Sequence, residues 1–172
     1  MNTVFQRGFN LLELMVGIAV LGVLFGLGVP SFNEMIRNNR LATQSNELLA
    51  ALTFARSESL KRGIRVSACP ANGNVCSGGT DWNTGVLVFT DDVGTAGVLD
   101  APNDVPLLQS AASTSGFVAG GALSPAAIRF LPSGAEAQAQ IDIYKTGCTG
   151  PKMRRVTVVL TGRIGLEKRA CP

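Results

Sequence analysis

The sequence predicts an α+β fold: one long N-terminal helix packed on a mostly antiparallel β-sheet head. Two observations carry the expectation. Up to residue 62 the apolar side chains lie first all around a helical wheel and then along one side of it, and from Gly63 onward short β-prone runs alternate with Gly, Pro, Asn and Asp. The 172 residues suit one domain of ordinary size, which holds about 100–200.

The helix begins in the segment Phe9 to Val29, FNLLELMVGIAVLGVLFGLGV, whose sole ionisable side chain is Glu13. At 1.5 Å per residue this run makes about 31 Å of helix, against a bilayer hydrocarbon core of about 30 Å. A cleavable secretory signal is the competing reading, with Arg7 ahead of the run and Gly26-Leu27-Gly28 as its cleavage site. The run exceeds the roughly 7–15 apolar residues of such a signal, and it carries a carboxylate near its start. A charge inside an apolar span costs roughly 2.5–3.5 kcal/mol, so the presence of Glu13 implies a use.

Beyond Val29, Pro30 removes one backbone donor and is expected to kink the helix. Ser31 to Arg62 then contains no Pro or Gly, and Gly63 is placed to end the helix. Leu41, Leu48, Leu49, Leu52, Ala55 and Leu60 recur near helical spacing, with Arg40, Gln44, Glu47, Arg56 and Lys61 elsewhere around the wheel. A single helix of about 50 residues follows, half apolar all round and half amphipathic.

After Gly63 the expected strands are Arg65 to Cys69, Gly85 to Thr90, Val105 to Gln109, Ala127 to Leu131, Gln140 to Tyr144, Arg155 to Leu160 and Arg163 to Lys168. Thr161-Gly162 reads as the tight turn of a hairpin between the last two. Ser110 to Ser124, rich in Ala, Ser, Thr and Gly, reads as a loop.

The chain has no His, which excludes Ser-His-Asp and Cys-His nucleophilic sites and His-ligated zinc. Catalysis would then need carboxylate pairs, Lys or thiols, and Ser57, Glu58, Lys61 and Asp142 are more simply surface residues. No enzyme activity and no cofactor are expected.

The run Arg7-Gly8-Phe9-Asn10-Leu11-Leu12-Glu13-Leu14-Met15-Val16 resembles the N-terminus of type IV prepilins and pseudopilins. That resemblance implies peptidase cleavage between Gly8 and Phe9, N-methylation of Phe9, and an assembly role for Glu13. A membrane-buried carboxylate needs a cationic partner, and the new α-amino group at Phe9 is the nearest one. Arg40 to Leu49, Ala55 to Gly63, Cys69-Pro70, and Asp81-Trp82-Asn83-Thr84-Gly85 followed by Val88-Phe89 resemble the H-type minor pseudopilins and related minor pilins. The implied organisation is a cleaved leader (1–8), a transmembrane and filament-core helix (9–29), its amphipathic continuation (30–63) and a periplasmic β-rich head (64–172). The implied fold is type IV pilin-like. The implied role is a subunit of the tip or initiation complex of a type IV pilus or type II secretion pseudopilus. Its partners would be other major and minor pilins, the prepilin peptidase and the inner-membrane assembly platform.

Four cysteines in a head outside the cytoplasmic membrane are expected to form disulfides. Of the three connectivities, Cys69–Cys76 and Cys148–Cys171 are favoured over free thiols, and zinc is disfavoured because no CxxC pair exists. Asp91, Asp92, Asp100, Asn103 and Asp104 crowd one loop. A calcium-loop template starting at Asp92 fails where Gly94 and Ala96 replace oxygen-bearing side chains, so a solvated hairpin loop is expected and no metal.

The net charge of +3 hides an asymmetry. Residues 145–172 hold Lys145, Lys152, Arg154, Arg155, Arg163, Lys168 and Arg169 against Glu167 alone, a net +6, while residues 1–144 sum to −3. Gathered on one face, Lys152, Arg154, Arg155, Arg163, Lys168 and Arg169 would suit phosphates. Some minor pilins of the resembling family take up DNA through a C-terminal Gly-Arg-x-Arg element, whereas here Gly162-Arg163-Ile164 is followed by Gly165. The alternative function is therefore backbone contact with double-stranded DNA in natural transformation, without aromatic stacking.

Overall fold

The computed structural model describes residues 10–100, 102–112, 117–121 and 123–172, and no side chain between residues 25 and 31. The protein is α+β, as the periodicities imply, and divides into two compact units, Met1–Asn39 and Arg40–Pro172. Helix α1 (Leu11–Arg62) contributes residues to both.

In the first unit α1 opens at Asn10, whose carbonyl accepts the backbone N–H groups of Glu13 and Leu14 at 3.0 and 3.2 Å. The Asn10 side chain accepts the Leu12 N–H at 3.4 Å, an N-cap that satisfies one of the orphan donors of the first turn. Leu11, Leu12, Leu14, Met15, Val16, Ile18, Val20, Leu21, Val23 and Leu24 are all more than half exposed. Among the described residues no helix is long and apolar enough to cross a membrane.

The second unit is built on one stripe of α1. Leu41, Ser45, Leu48, Leu52, Ala55 and Ser59, spaced by alternating steps of four and three, are buried. They pack with two antiparallel sheets. The first runs in the order β4 (Pro106–Gln109), β3 (Val86–Thr90), β1 (Val66–Asn72), β6 (Ile128–Leu131), β7 (Gly134–Ala135), with β2 (Val75–Cys76) paired to β1. The second runs β10 (Ile164–Arg169), β9 (Met153–Val158), β8 (Ala139–Lys145), β5 (Phe117–Gly120). One core joins Leu48, Leu52 and Ala55 to Val66, Val88 and Phe130 of the first sheet and to Ile141, Ile143, Val156 and Val158 of the second.

The helix stops at Gly63, whose φ of 69° is left-handed and whose N–H reaches the Ser59 carbonyl at 3.0 Å. The buried Ser59 hydroxyl lies 2.8 Å from the Ile64 carbonyl and 3.0 Å from that of Phe130, so it ties the helix end to β6. Two disulfides join Cys69 to Cys76 across the β1–β2 hairpin and Cys148 to Cys171 beside β9 and β10.

Three expectations are corrected. The Ala/Ser/Gly stretch Ser110 to Ser124 is not all loop: Phe117–Gly120 forms β5 and pairs with β8. The strand expected at Arg155 to Leu160 ends at Val158, because Val159 accepts the Gly162 N–H at 2.7 Å and donates to the Arg163 carbonyl at 3.1 Å. That pattern is a three-residue hairpin loop with Gly162 left-handed at φ 75°, rather than a two-residue turn. The acidic loop, finally, is not simply solvated. Asp91 and Asp104 are buried, and Leu99 packs on a second cluster of Cys69, Ala71, Leu87 and Phe89. The carboxylates accept internal hydrogen bonds here: Asp91 Oδ2 takes the Ser67 hydroxyl at 2.5 Å and the Gly97 backbone N–H at 2.8 Å, and Asp104 takes the Asp100 backbone N–H at 2.9 Å.

Gly162 lies against the Arg56 guanidinium, into which an added Cβ would project. Gly162→Ala is therefore expected to destabilise the fold by about 1–2 kcal/mol from the left-handed backbone alone, read by denaturant unfolding. Part of any further loss should be recovered in an Arg56→Ala background; full stability of the single variant would contradict this packing. Glu58 bonds Arg62 Nε at 2.8 Å and Lys61 Nζ at 3.1 Å, and Arg62 first, then Lys61, holds its carboxyl below the usual value. Its stabilisation is thus present above the unfolded-state pKa and lost as pH falls through the lower folded value. Glu58→Gln should flatten the acid limb of a melting-temperature profile.

Candidate functional site

Glu13 stands in the first turn of α1, exposed among the apolar side chains of Leu11 to Leu24. A carboxylate there complements the positive end of the helix dipole. Gly8 and Phe9 lie outside the described residues. Pro30 falls within the span of α1, but its side chain also lies outside the description.

The basic residues of the C-terminal region are sorted by the pleat of the sheet, because neighbours along a strand point to opposite faces. Arg155 pairs in register with Asp142 on β8 and with Glu167 on β10. It grips Asp142 with two bonds, Nε to Oδ1 at 2.6 Å and Nη2 to Oδ2 at 2.8 Å, and this partner above all raises its pKa. Arg169 bonds Glu167 at 2.9 Å. On the other face Arg154 and Lys168 stand directly opposite each other, in the row that Ala119 and Ile143 continue into the core. Neither has a carboxylate partner among the described residues. Arg163 is exposed beside the hairpin turn, and Lys152 is exposed before β9. The six basic candidates therefore do not share one face: two are neutralised on the outer face, and two stand as a like-charge pair on the inner one. Among the described residues no group of three or more Cys, Asp or Glu is disposed to hold a metal ion.

The Asp81 to Gly85 motif is a structural joint. Asp81 Oδ1 accepts the Asn83 N–H at 3.0 Å and caps a single 3-10 turn, Trp82–Thr84. Trp82 Nε1 donates to the Pro125 carbonyl at 3.2 Å, and Asn83 Nδ2 donates to the Phe117 carbonyl of β5 at 2.7 Å. Sequence reasoning missed Arg56, whose role depends on its contact with Gly162 more than a hundred positions away. No local pattern announces it.

Residues 44–162 match the family model described as type II transport protein GspH. The fold is similar to two crystal structures of the type IV minor pilin FimU of Pseudomonas aeruginosa, with TM-scores of 0.57 and 0.60 at 22% identity. These alignments cover 73% and 75% of this chain and 91% and 89% of the FimU chains. Sequence relatives include the type IV major α-pilin of Moraxella bovis, 38% identical over 28% of this chain and 30% of that protein. The type IV major fimbrial protein FimA of Dichelobacter nodosus is 32% identical over 54% of this chain and 50% of its own length. The chain thus spans half or less of the length of these two relatives. With a minor-pilin fold and a family match across well over half of its residues, the chain belongs to the GspH family of type II transport proteins.

Proposed function

We propose that this chain is a minor pilin or pseudopilin subunit that joins the tip or initiation complex of a type IV pilus or type II secretion pseudopilus. The observation that carries the reading is the row of exposed apolar side chains from Leu11 to Leu24, interrupted by Glu13 alone, on a helix that continues into a folded head. Leaving that surface in water costs about 25 cal/mol for each Å² of apolar area, so it needs a cover. In the bacterial inner membrane the cover is lipid, with the head in the periplasm. In a filament it is the helices of other major and minor pilins. The full anchor, Phe9 to Val29, rests on the sequence.

The chemistry follows from burying one carboxylate in that cover. The prepilin peptidase cuts after Gly8 and frees an α-amino group on Phe9, which is then methylated and stays cationic. Paired with Glu13 of the same or a neighbouring subunit, it offsets the roughly 2.5–3.5 kcal/mol cost of the buried charge. The assembly platform then extracts a subunit whose charges are already matched. Glu13→Ala should still be processed, giving a mature chain that begins at Phe9, while its incorporation into filaments falls sharply. Immunoblots of the sheared filament fraction read the result, and normal incorporation would contradict the role.

A second reading, phosphate contact with double-stranded DNA, is favoured by the unneutralised Arg154–Lys168 pair. Like charges directly opposite on paired strands repel, and an anion between them relieves the cost. Binding in a gel shift should fall with a log-log salt slope of about −0.9 per phosphate contacted. Arg154→Gln with Lys168→Gln should abolish it, while Arg155→Gln leaves it nearly intact. Equal losses in both variants would remove this reading.

A further inference from the structure

Between α1, the 3-10 turn, β3, β5 and β8 lies a small recess of about 30 Å³, formed by Glu47, Trp82, Asn83, Ser110, Ala119 and Ile143 among others. A water-sized group needs about 10–15 Å³, so the recess admits about two or three such groups, the tip of one unbranched side chain rather than a ring. Gln44 and the Ser110 hydroxyl also belong to its polar lining, while three of the N–H groups around it already have acceptors. The Trp82 indole N–H is spent on the Pro125 carbonyl and the Asn83 backbone N–H on Asp81 Oδ1. The Val86 N–H is spent on the Ser110 hydroxyl oxygen at 2.9 Å.

The orientation of the Asn83 side chain is fixed by chemistry. The Phe117 carbonyl 2.7 Å away accepts only, so the amide nitrogen must face it. That leaves Asn83 Oδ1 buried with no hydrogen-bond partner among the described residues. A buried acceptor left unmade costs roughly 1–3 kcal/mol, so a donor is called for. Glu47 lines the same recess, is exposed toward solvent, and has no ion-pair partner among the described residues. Among the described residues no Lys or Arg lines it, and Trp82 is one of its lining residues. A bare acceptor, a carboxylate and a tryptophan around so small a space match a primary ammonium, which has three donors, one positive charge and an affinity for aromatic faces.

We propose that this recess receives the ammonium group of a lysine side chain from a neighbouring filament subunit. A guanidinium is too broad for the space. A neutral hydroxyl would satisfy Asn83 Oδ1 but gain no attraction from the Glu47 carboxylate. That the lysine comes from a neighbour rests on the assembly role proposed above, whereas the ammonium chemistry of the recess does not.

Trp82 is the sole tryptophan of the chain and so reports on its own recess. The full-length protein in detergent is titrated with Nα-acetyl-lysine N-methylamide and, separately, with the norleucine analogue, which lacks the charge and the donors. A saturable change in Trp82 fluorescence is expected for the lysine probe alone. Glu47→Gln, a surface change that leaves the melting temperature unmoved, should weaken the response by about tenfold, or 1.4 kcal/mol. An equal response to both probes, an unchanged response in Glu47→Gln, or no response at all overturns the ammonium site. In assembled filaments, carbodiimide treatment should couple Glu47 to a lysine of another subunit, identified by peptide mass spectrometry. A lack of that cross-link overturns the neighbour as its source. Neither experiment reads the processing or incorporation of Glu13→Ala, so the two proposals fail separately.

Discussion

The head depends on one stripe of α1. Its six inward positions from Leu41 to Ser59 are the shared wall against which both sheets close, and core residues of each sheet touch that wall rather than forming two separate cores. Ala51 and Ala55 keep the helix close to the strands. The two polar members, Ser45 and Ser59, are tolerated because their hydroxyls find backbone carbonyls: Ser45 that of Leu41 at 2.8 Å, and Ser59 that of Phe130 on another element. The second of these bonds fixes where the helix ends relative to β6, and through β6 it sets the position of β1.

A sheet covered on one face by a helix must hide its other face as well when that face is apolar. In β1 the alternate residues Ser67, Cys69 and Ala71 are as buried as Val66 and Ala68, so something has to lie over them. The 91–104 loop and the Cys69–Cys76 hairpin supply the cover, Leu99 packing against Leu87 and Phe89. A loop without regular hydrogen bonds leaves its N–H groups unmatched, and here Asp91, Asp100 and Asp104 accept them. Arg65 closes the arrangement by donating to the carbonyls of Asp91 and Asp92. Burial raises the pKa of Asp104 despite its bond from Asp100, which is the cost of seating a carboxylate under such a cover.

How much of this was legible in the sequence depends on whether the deciding physics is periodic. Helix α1 and its stop at Gly63 follow from apolar spacing and a left-handed glycine, and most strands from short β-branched runs. The β5 strand was hidden because Phe117-Val118-Ala119-Gly120 sits in an Ala/Ser/Gly background whose composition reads as loop. The acidic loop was misread because carboxylates count as solvated until their backbone partners are known. Charge counting gave a C-terminal excess of basic residues, but only the pairing register could tell that Asp142 and Glu167 neutralise part of it. The recess was invisible for a related reason. Its lining comes from several segments between residues 44 and 143, and what matters there is which donors are already spent.

The adjacent Arg154 and Arg155 have a consequence for how the sheet finds its register. If β9 slipped by one residue against β8, Arg154 would replace Arg155 opposite Asp142 and the salt bridge would survive with the same chemistry. The ion pair therefore cannot proofread the alignment. That task falls to Val156 and Val158, which such a slip would turn out to water while turning Thr157 inward, along with an unpaired guanidinium. The electrostatics of this sheet is permissive and its hydrophobic pattern is strict, so errors of strand alignment during folding are rejected by the core rather than by the charges.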